Sequence, residues 1–325
     1  MSLLSKDRPW LHVALFFATG ASVFITFLTQ SGGGVESEAL VDQLKGSAWF
    51  TASVMAILLA HELGHFVMAR RHGVDSTWPF FIPLPLGFGT MGAVIRLRGR
   101  IPTRDALVDI GAGGPLAGLA VCVPLWALGV WLSRVSPAPD LTDSFPGQFS
   151  LWNVVAHWSD AAPSGNVVQV FGDNLLGLGL QRLIKGSLPA GHDLFAHPVL
   201  VAAWFGFLVT MLNLLPVGQL DGGHLTHAWF GRRAELIGRV VAAIILVASL
   251  LFSTSWFVWF VLVTFVVKFG HPPVVDDEAP LSRSRKLVCA ACFLLTVLTF
   301  MPTPLRFATM PAQSAAAVEA PPATP

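Results

Sequence analysis

The stretch LLAHELGHFVMARR, residues 58–71, decides how this chain is read. It is as apolar as a membrane span, yet His61, Glu62 and His65 lie at its heart. An ionisable side chain at the middle of a membrane helix costs ~2.5–3.5 kcal/mol even on the lenient insertion scale, so such residues are rare and mark function. On a helix His61 and His65, four apart, share one face, and Glu62 stands beside them. This H-E-x-x-H pattern offers two imidazoles to one zinc ion, with the glutamate placed as general base.

The rest of the chain supports a bilayer setting. Of 325 residues 54% are hydrophobic and 12% charged, against roughly 45–50% and about 25% in a soluble domain. Apolar runs of the ~20 residues that cross a hydrocarbon core fall at 10–29, 47–69, 105–132, 198–215 and 286–301, and 236–269 is long enough for two more, reversing near 253–255. The expected architecture is an all-α polytopic membrane protein of about seven transmembrane helices. The first span is too long for a signal peptide and is read as a retained helix. Arg70, Arg71, Arg96, Arg98, Arg100 and Arg104 cluster between spans two and three, whereas Glu36, Glu38 and Asp42 follow span one. The bias of basic residues toward cytoplasmic loops then puts the N-terminus and the histidine end of span two on the cytoplasmic side. A bacterial cytoplasmic membrane is the expected location.

A catalytic zinc needs a third protein ligand and an open position for water. A histidine ten residues after His61, the metzincin arrangement, is missing: that position is Arg71, and His72 is out of phase. The next glutamate after Glu62 is Glu235, at the mouth of a later span. Asp105, Asp109 and Asp221 remain. Asp105 and Asp109 open the third span, where carboxylates suit the positive end of a helix. Asp221 ends NLLPVGQLDGGH, where Pro216 and Gly218 break a span, and broken helices at membrane depth are tolerated when they line a cavity or are buried in protein.

Two segments are neither span nor short loop. Residues 78–100, WPFFIPLPLGFGTMGAVIRLRGR, read as strands or a hairpin at the cytoplasmic surface. Gly87, Gly89 and Gly92 match G-x-G-x-x-G, but no helix opens at these glycines, so a dinucleotide site is excluded. Residues 133–197 form an outer segment with no separate domain, in which NVVQVFGDNLLGLGLQRLIKG looks like one amphipathic or re-entrant helix. A single membrane-embedded domain is expected over 1–301, followed by a disordered Ala- and Pro-rich tail over 302–325. Cys289 and Cys292 form a C-x-x-C inside a span and read as polarisable packing. His72, His227 and His271 fall at loops, and His224 reads as a polar partner of the Asp221 turn.

The HELGH of residues 61–65 within a span, with Asn213, Pro216, Asp221 and Gly222 in NLLPVGQLDGG, resembles the site-2 protease family of intramembrane zinc metalloproteases. Further likeness lies in FGTMGAVIRL and GAGGPLAGL, so the resemblance covers about residues 47–225. It implies that Asp221 completes a site for one zinc ion with His61 and His65. It also implies that Asn213 holds the substrate strand or polarises its carbonyl, and that the partner is a membrane-anchored protein with a transmembrane segment. Unlike members with a PDZ or CBS domain, this chain has room for neither, so substrate screening and ATP sensing are not carried over.

Two other classes stay in view. A metal transporter needs ligands stepped along several spans, whereas here the strong ligands cluster at one level; a zinc-containing scaffold that does not cut shares every motif. A net charge of +1, with no basic run interleaved with aromatics, gives no nucleic-acid site.

Overall fold

The computed structural model describes residues 8–31, 37–138, 142–143, 166–251, 253, 255–267, 269–270 and 274–310. His271 and the tail from 311 lie outside them. The fold is mostly helical. Helices α1 (Pro9–Ser31), α2 (Ser37–Arg71) and α3 (Arg104–Leu132) are followed by the short α4 (Leu175–Lys185) and by α5 (Pro198–Asn213). Among the described residues, helices α6 (Asp221–Phe230), α7 (Ala234–Leu251), α8 (Ser255–Val261, running on as a π-helix over Leu262–Val267) and α9 (Arg283–Thr299) follow. Among the described residues four helical segments are long and apolar enough to cross a membrane: Pro9–Gln30, Leu40–Arg71, Arg104–Leu132 and Asp221–Leu251. The other expected spans coincide with the shorter helices α5, α8 and α9.

The main core lies where α2, α3 and α5 meet, with Phe50, Val54 and Leu58 packed among Leu119, Cys122, Trp126, Phe207 and Met211. A second cluster joins the start of α3 (Leu107, Val108, Ala112) to Leu225 and Ala228 of α6 and to Cys289 and Cys292 of α9. Helices α2 and α3 approach closely because Gly64 faces Gly113: a Cβ on either would run into the other's backbone. Small residues at facing positions are what membrane helices use to bring backbones together.

Strands β1 (Phe80–Pro83) and β2 (Thr90–Val94) form an antiparallel hairpin with Phe80 opposite Val94 and Phe81 opposite Ala93. It runs along α1: His12 Nδ1 lies 3.1 Å from the Pro79 carbonyl oxygen, the Phe16 and Phe81 rings meet edge-on at 5.0 Å, and Gln30 Nε2 donates to Gly87 O at 2.8 Å. From His12 to Gln30 is ~27 Å of helix at 1.5 Å per residue, close to the ~30 Å thickness of a hydrocarbon core. Phe81 of the hairpin is buried in this contact, whereas Ile82, Leu86, Met91 and Val94 are exposed. At its tip Phe88 packs on Trp204 and Phe205 of α5, with ring centroids 5.8 and 4.7 Å apart.

The outer segment differs from the single helix expected over 166–186. Asn166–Phe171 is strand β5, and only Leu175–Lys185 is helical, capped by Asn174 Oδ1 accepting from Gly177 N at 2.8 Å and ended at Gly186. The β-branched alternation of NVVQVF finds a partner in β7 (Leu305–Met310), Val167 opposite Thr309 and Val170 opposite Arg306. The ordered chain thus extends past Met301, and this part of the expected disordered tail is a strand. Strand β4 (Thr142–Asp143) pairs with β7 on its other side, and β3 (Arg134–Pro137) pairs with β6 (His192–Phe195).

Candidate metal centre

One turn of α2 places His61 and His65 with their Nε2 atoms 3.1 Å apart and their rings at 74°. Both are buried, as is Glu62. His65 Nδ1 lies 2.7 Å from the Ile110 carbonyl oxygen of α3. A carbonyl only accepts, so the proton sits on Nδ1 and the Nε2 lone pair points into the site, the tautomer a metal needs. The close passage of α3 is again a glycine effect: a Cβ on Gly114 would fall on His65 Nε2, and one on Gly118 would press on His61. The GAGGP run therefore makes room for the imidazoles as well as for helix packing.

The third group arrives from far along the chain. Helix α5 ends at Asn213, and residues 214–220 form an irregular turn, with Gly218 at φ 55°. Helix α6 begins with Asp221, and its first turn docks on that preceding turn: a Cβ on Gly222 would overlap Leu214 O. Asp221 Oδ2 lies 3.3 Å from His61 Nε2, and Oδ1 lies 3.3 Å from His65 Nε2. With bonds of ~2.0–2.1 Å, atoms around a tetrahedral zinc ion stand ~3.3 Å apart. The imidazole nitrogens, 3.1 Å apart, fit that edge length, and a different oxygen of Asp221 approaches each of them at 3.3 Å, so His61, His65 and Asp221 could hold one ion. Among the described residues they are the one group of this kind.

Two polar groups flank the trio. Asn213 Nδ2 lies 3.3 Å from His61 Nε2. Glu62 is buried beside the histidine pair, and the backbone of Ile95, immediately after β2, lies near its carboxylate. Asp105 and Asp109 take no part in the cluster. Asp105 accepts from Ser282 N at 3.0 Å, and Asp109 holds His72 Nε2 at 2.9 Å together with Arg285. The Ile110 carbonyl leaves no signal in the sequence, because a backbone group is invisible in residue identity; the GAGGP glycines mark only the close approach that makes this contact possible.

The chain is 29% identical over 249 residues to "Probable zinc metalloprotease EGY1, chloroplastic" of Arabidopsis thaliana, covering 77% of this chain and 42% of that protein. With "Probable zinc metalloprotease EGY2, chloroplastic" of the same plant it shares 31% over 274 residues, 83% of this chain and 44% of that protein. A third Arabidopsis protein, "Probable zinc metallopeptidase EGY3, chloroplastic", is 26% identical over 303 residues, 91% of this chain and 50% of its own length. The chain thus spans about half the length of these relatives or less. No solved structure matches. Residues 49–255 match peptidase family M50, a stretch that takes in both the histidine pair and Asp221, and the chain belongs to that family.

Proposed function

We propose that this protein is an intramembrane zinc metalloendopeptidase that hydrolyses peptide bonds within or near transmembrane segments of membrane-anchored proteins. One observation carries the reading: two imidazoles of α2 and a carboxylate of α6 converge on one point, with Glu62 at their side, inside helices apolar enough to span a bilayer. Family membership and the printed names of the relatives support the same chemistry.

In this reading His61, His65 and Asp221 are the ligands. A zinc ion held there would supply Lewis acidity and make an attacking water more acidic. Glu62 takes the proton of the attacking water and hands it to the leaving amine. Its carboxylate lies near the Ile95 backbone, immediately after β2. A helical peptide bond is shielded by its own hydrogen bonds, so the substrate unwinds locally and pairs as a strand with the hairpin. Asn213, 3.3 Å from His61 Nε2, is placed to hold that strand or its carbonyl. The scaffold reading accounts for the metal trio but leaves Glu62 unused.

The proposed topology has about seven spans, with the N-terminus and the site toward the cytoplasm, supported by the arginines between α2 and α3. The bacterial location has no comparable support, since the relatives' names place those proteins in chloroplasts. Regulated release of a membrane-tethered factor is the process this activity would serve.

The test is co-reconstitution with a single-span substrate and mass analysis of the products. Glu62→Gln should keep one zinc per chain and stop cleavage. Undiminished proteolysis by that variant would refute the assigned base, and zinc flux without products would favour transport.

A further inference from the structure

Residues 274–285 cross the start of α3 as a strap. Val275 N donates to Ile101 O at 2.9 Å, Asp276 N to Pro102 O at 3.0 Å, and Ser282 N to Asp105 Oδ1 at 3.0 Å. Arg285 then closes on Asp109 through Nε at 3.1 Å and Nη2 at 2.8 Å. Val274 and Leu281 of the strap are buried in the same cluster as Leu107 of α3 and Leu225 of α6. Within the strap Asp277 Oδ1 lies 3.0 Å from Arg104 Nε on α3 and 3.4 Å from His227 Nε2 on α6. One carboxylate therefore faces both the helix that passes beneath the imidazoles and the helix that carries the third candidate ligand.

We propose that Asp277 is a positioning residue for the metal centre, holding the far end of α6 against α3 so that Asp221 meets His61 and His65. The proposal rests on reading those three residues as the zinc site. Its physical basis is a lever. Asp221 and His227 are six residues apart on α6, ~9 Å along the axis. Leu225 and Ala228, packed on α3, sit near the His227 end as the pivot. The Asp221 end is attached to an irregular turn rather than to a continuous helix. Metal–ligand distances hold to about ±0.2 Å, so a tilt of α6 that its apolar contacts tolerate still spoils the site. The Asp277 bracket opposes that tilt from the opposite end. Groups that orient ligands from outside the first sphere typically change metal affinity 10–100-fold when lost.

The experiment measures zinc affinity of the full chain in detergent by competition with a chromophoric chelator, alongside thermal unfolding of the zinc-free protein and the visible d–d spectrum after cobalt substitution. Asp277→Ala is expected to weaken zinc binding about tenfold, to alter the cobalt bands and to leave the zinc-free melting temperature nearly unchanged. Asp276→Ala, which removes the neighbouring strap carboxylate that accepts from Ala279 N, should leave affinity and spectrum as in the wild type. Asp277→Glu should recover part of the loss. Wild-type affinity and spectrum in Asp277→Ala, or an equal loss in Asp276→Ala, would overturn the proposal. If Asp277→Ala does not fold, Asp277→Asn and His227→Gln decide it by the same measurements. Failure of the underlying site reading looks different: the wild type would then bind no zinc, or Asp221→Ala would bind it as well as the wild type.

Discussion

Helix α2 presents its two imidazoles from the interior of 35 continuous residues, whereas α6 presents Asp221 on the first residue of a ten-residue helix behind an irregular turn. On α2 the backbone itself fixes the spacing, because residues four apart on one helix have little freedom to separate. On α6 nothing local does so, and its register depends on glycine contacts with the preceding turn and on α3. A site of this kind has a rigid half and a docked half, and the docked half is where mutation far from the metal should be felt.

That contrast can be broken most directly by removing ligands. If roughly 10–16 kcal/mol of zinc binding is shared over four ligands, one ligand is worth about 3 kcal/mol, or ~10²-fold in affinity. His65→Ala and Asp221→Ala should each lose that much in a zinc titration. Equal affinity of either variant and the wild type would remove that residue from the site.

A smaller effect probes the rigid half. Gly→Ala inside a helix normally stabilises by ~1 kcal/mol. Gly114→Ala should do the reverse for zinc, because its Cβ falls on His65 Nε2; we expect at least a tenfold loss of affinity with helical content unchanged by circular dichroism. Unaltered affinity would mean that α3 can retreat from α2 at no cost.

The docked half should respond in stability first. Gly222→Ala drives a Cβ into Leu214 O, and overpacking of this sort costs ~1–3 kcal/mol. A lowered melting temperature in detergent is expected, and an unchanged one would show that α6 is not seated on the turn.

The same division governs what the sequence discloses. His61, Glu62 and His65 are legible because one helix carries them, and the glycines of GAGGP announce a close neighbour without naming it. Asp221 is singled out by the break at Pro216 and Gly218, but its meeting with the histidines is a tertiary fact that spacing cannot supply. The hairpin is legible as strands, yet its packing along α1 is not, since an apolar β-prone run has the same composition against a helix as at a surface. NVVQVF and the segment Leu305–Met310 are too far apart in sequence to reveal their pairing, which turned one expected helix into a strand followed by a short helix and part of the expected tail into a strand. Asp277, inside VVDDEAP, reads as a solvated charge run until α3 and α6 close around it.

X-ray absorption at the zinc edge of the purified full chain tests the metal centre most directly. The account predicts one zinc per chain with nitrogen and oxygen neighbours alone at ~2.0–2.1 Å, and the multiple-scattering pattern of two imidazoles. A sulfur neighbour at ~2.3 Å, pointing to the cysteines of α9, or the pattern of a single imidazole, would contradict it.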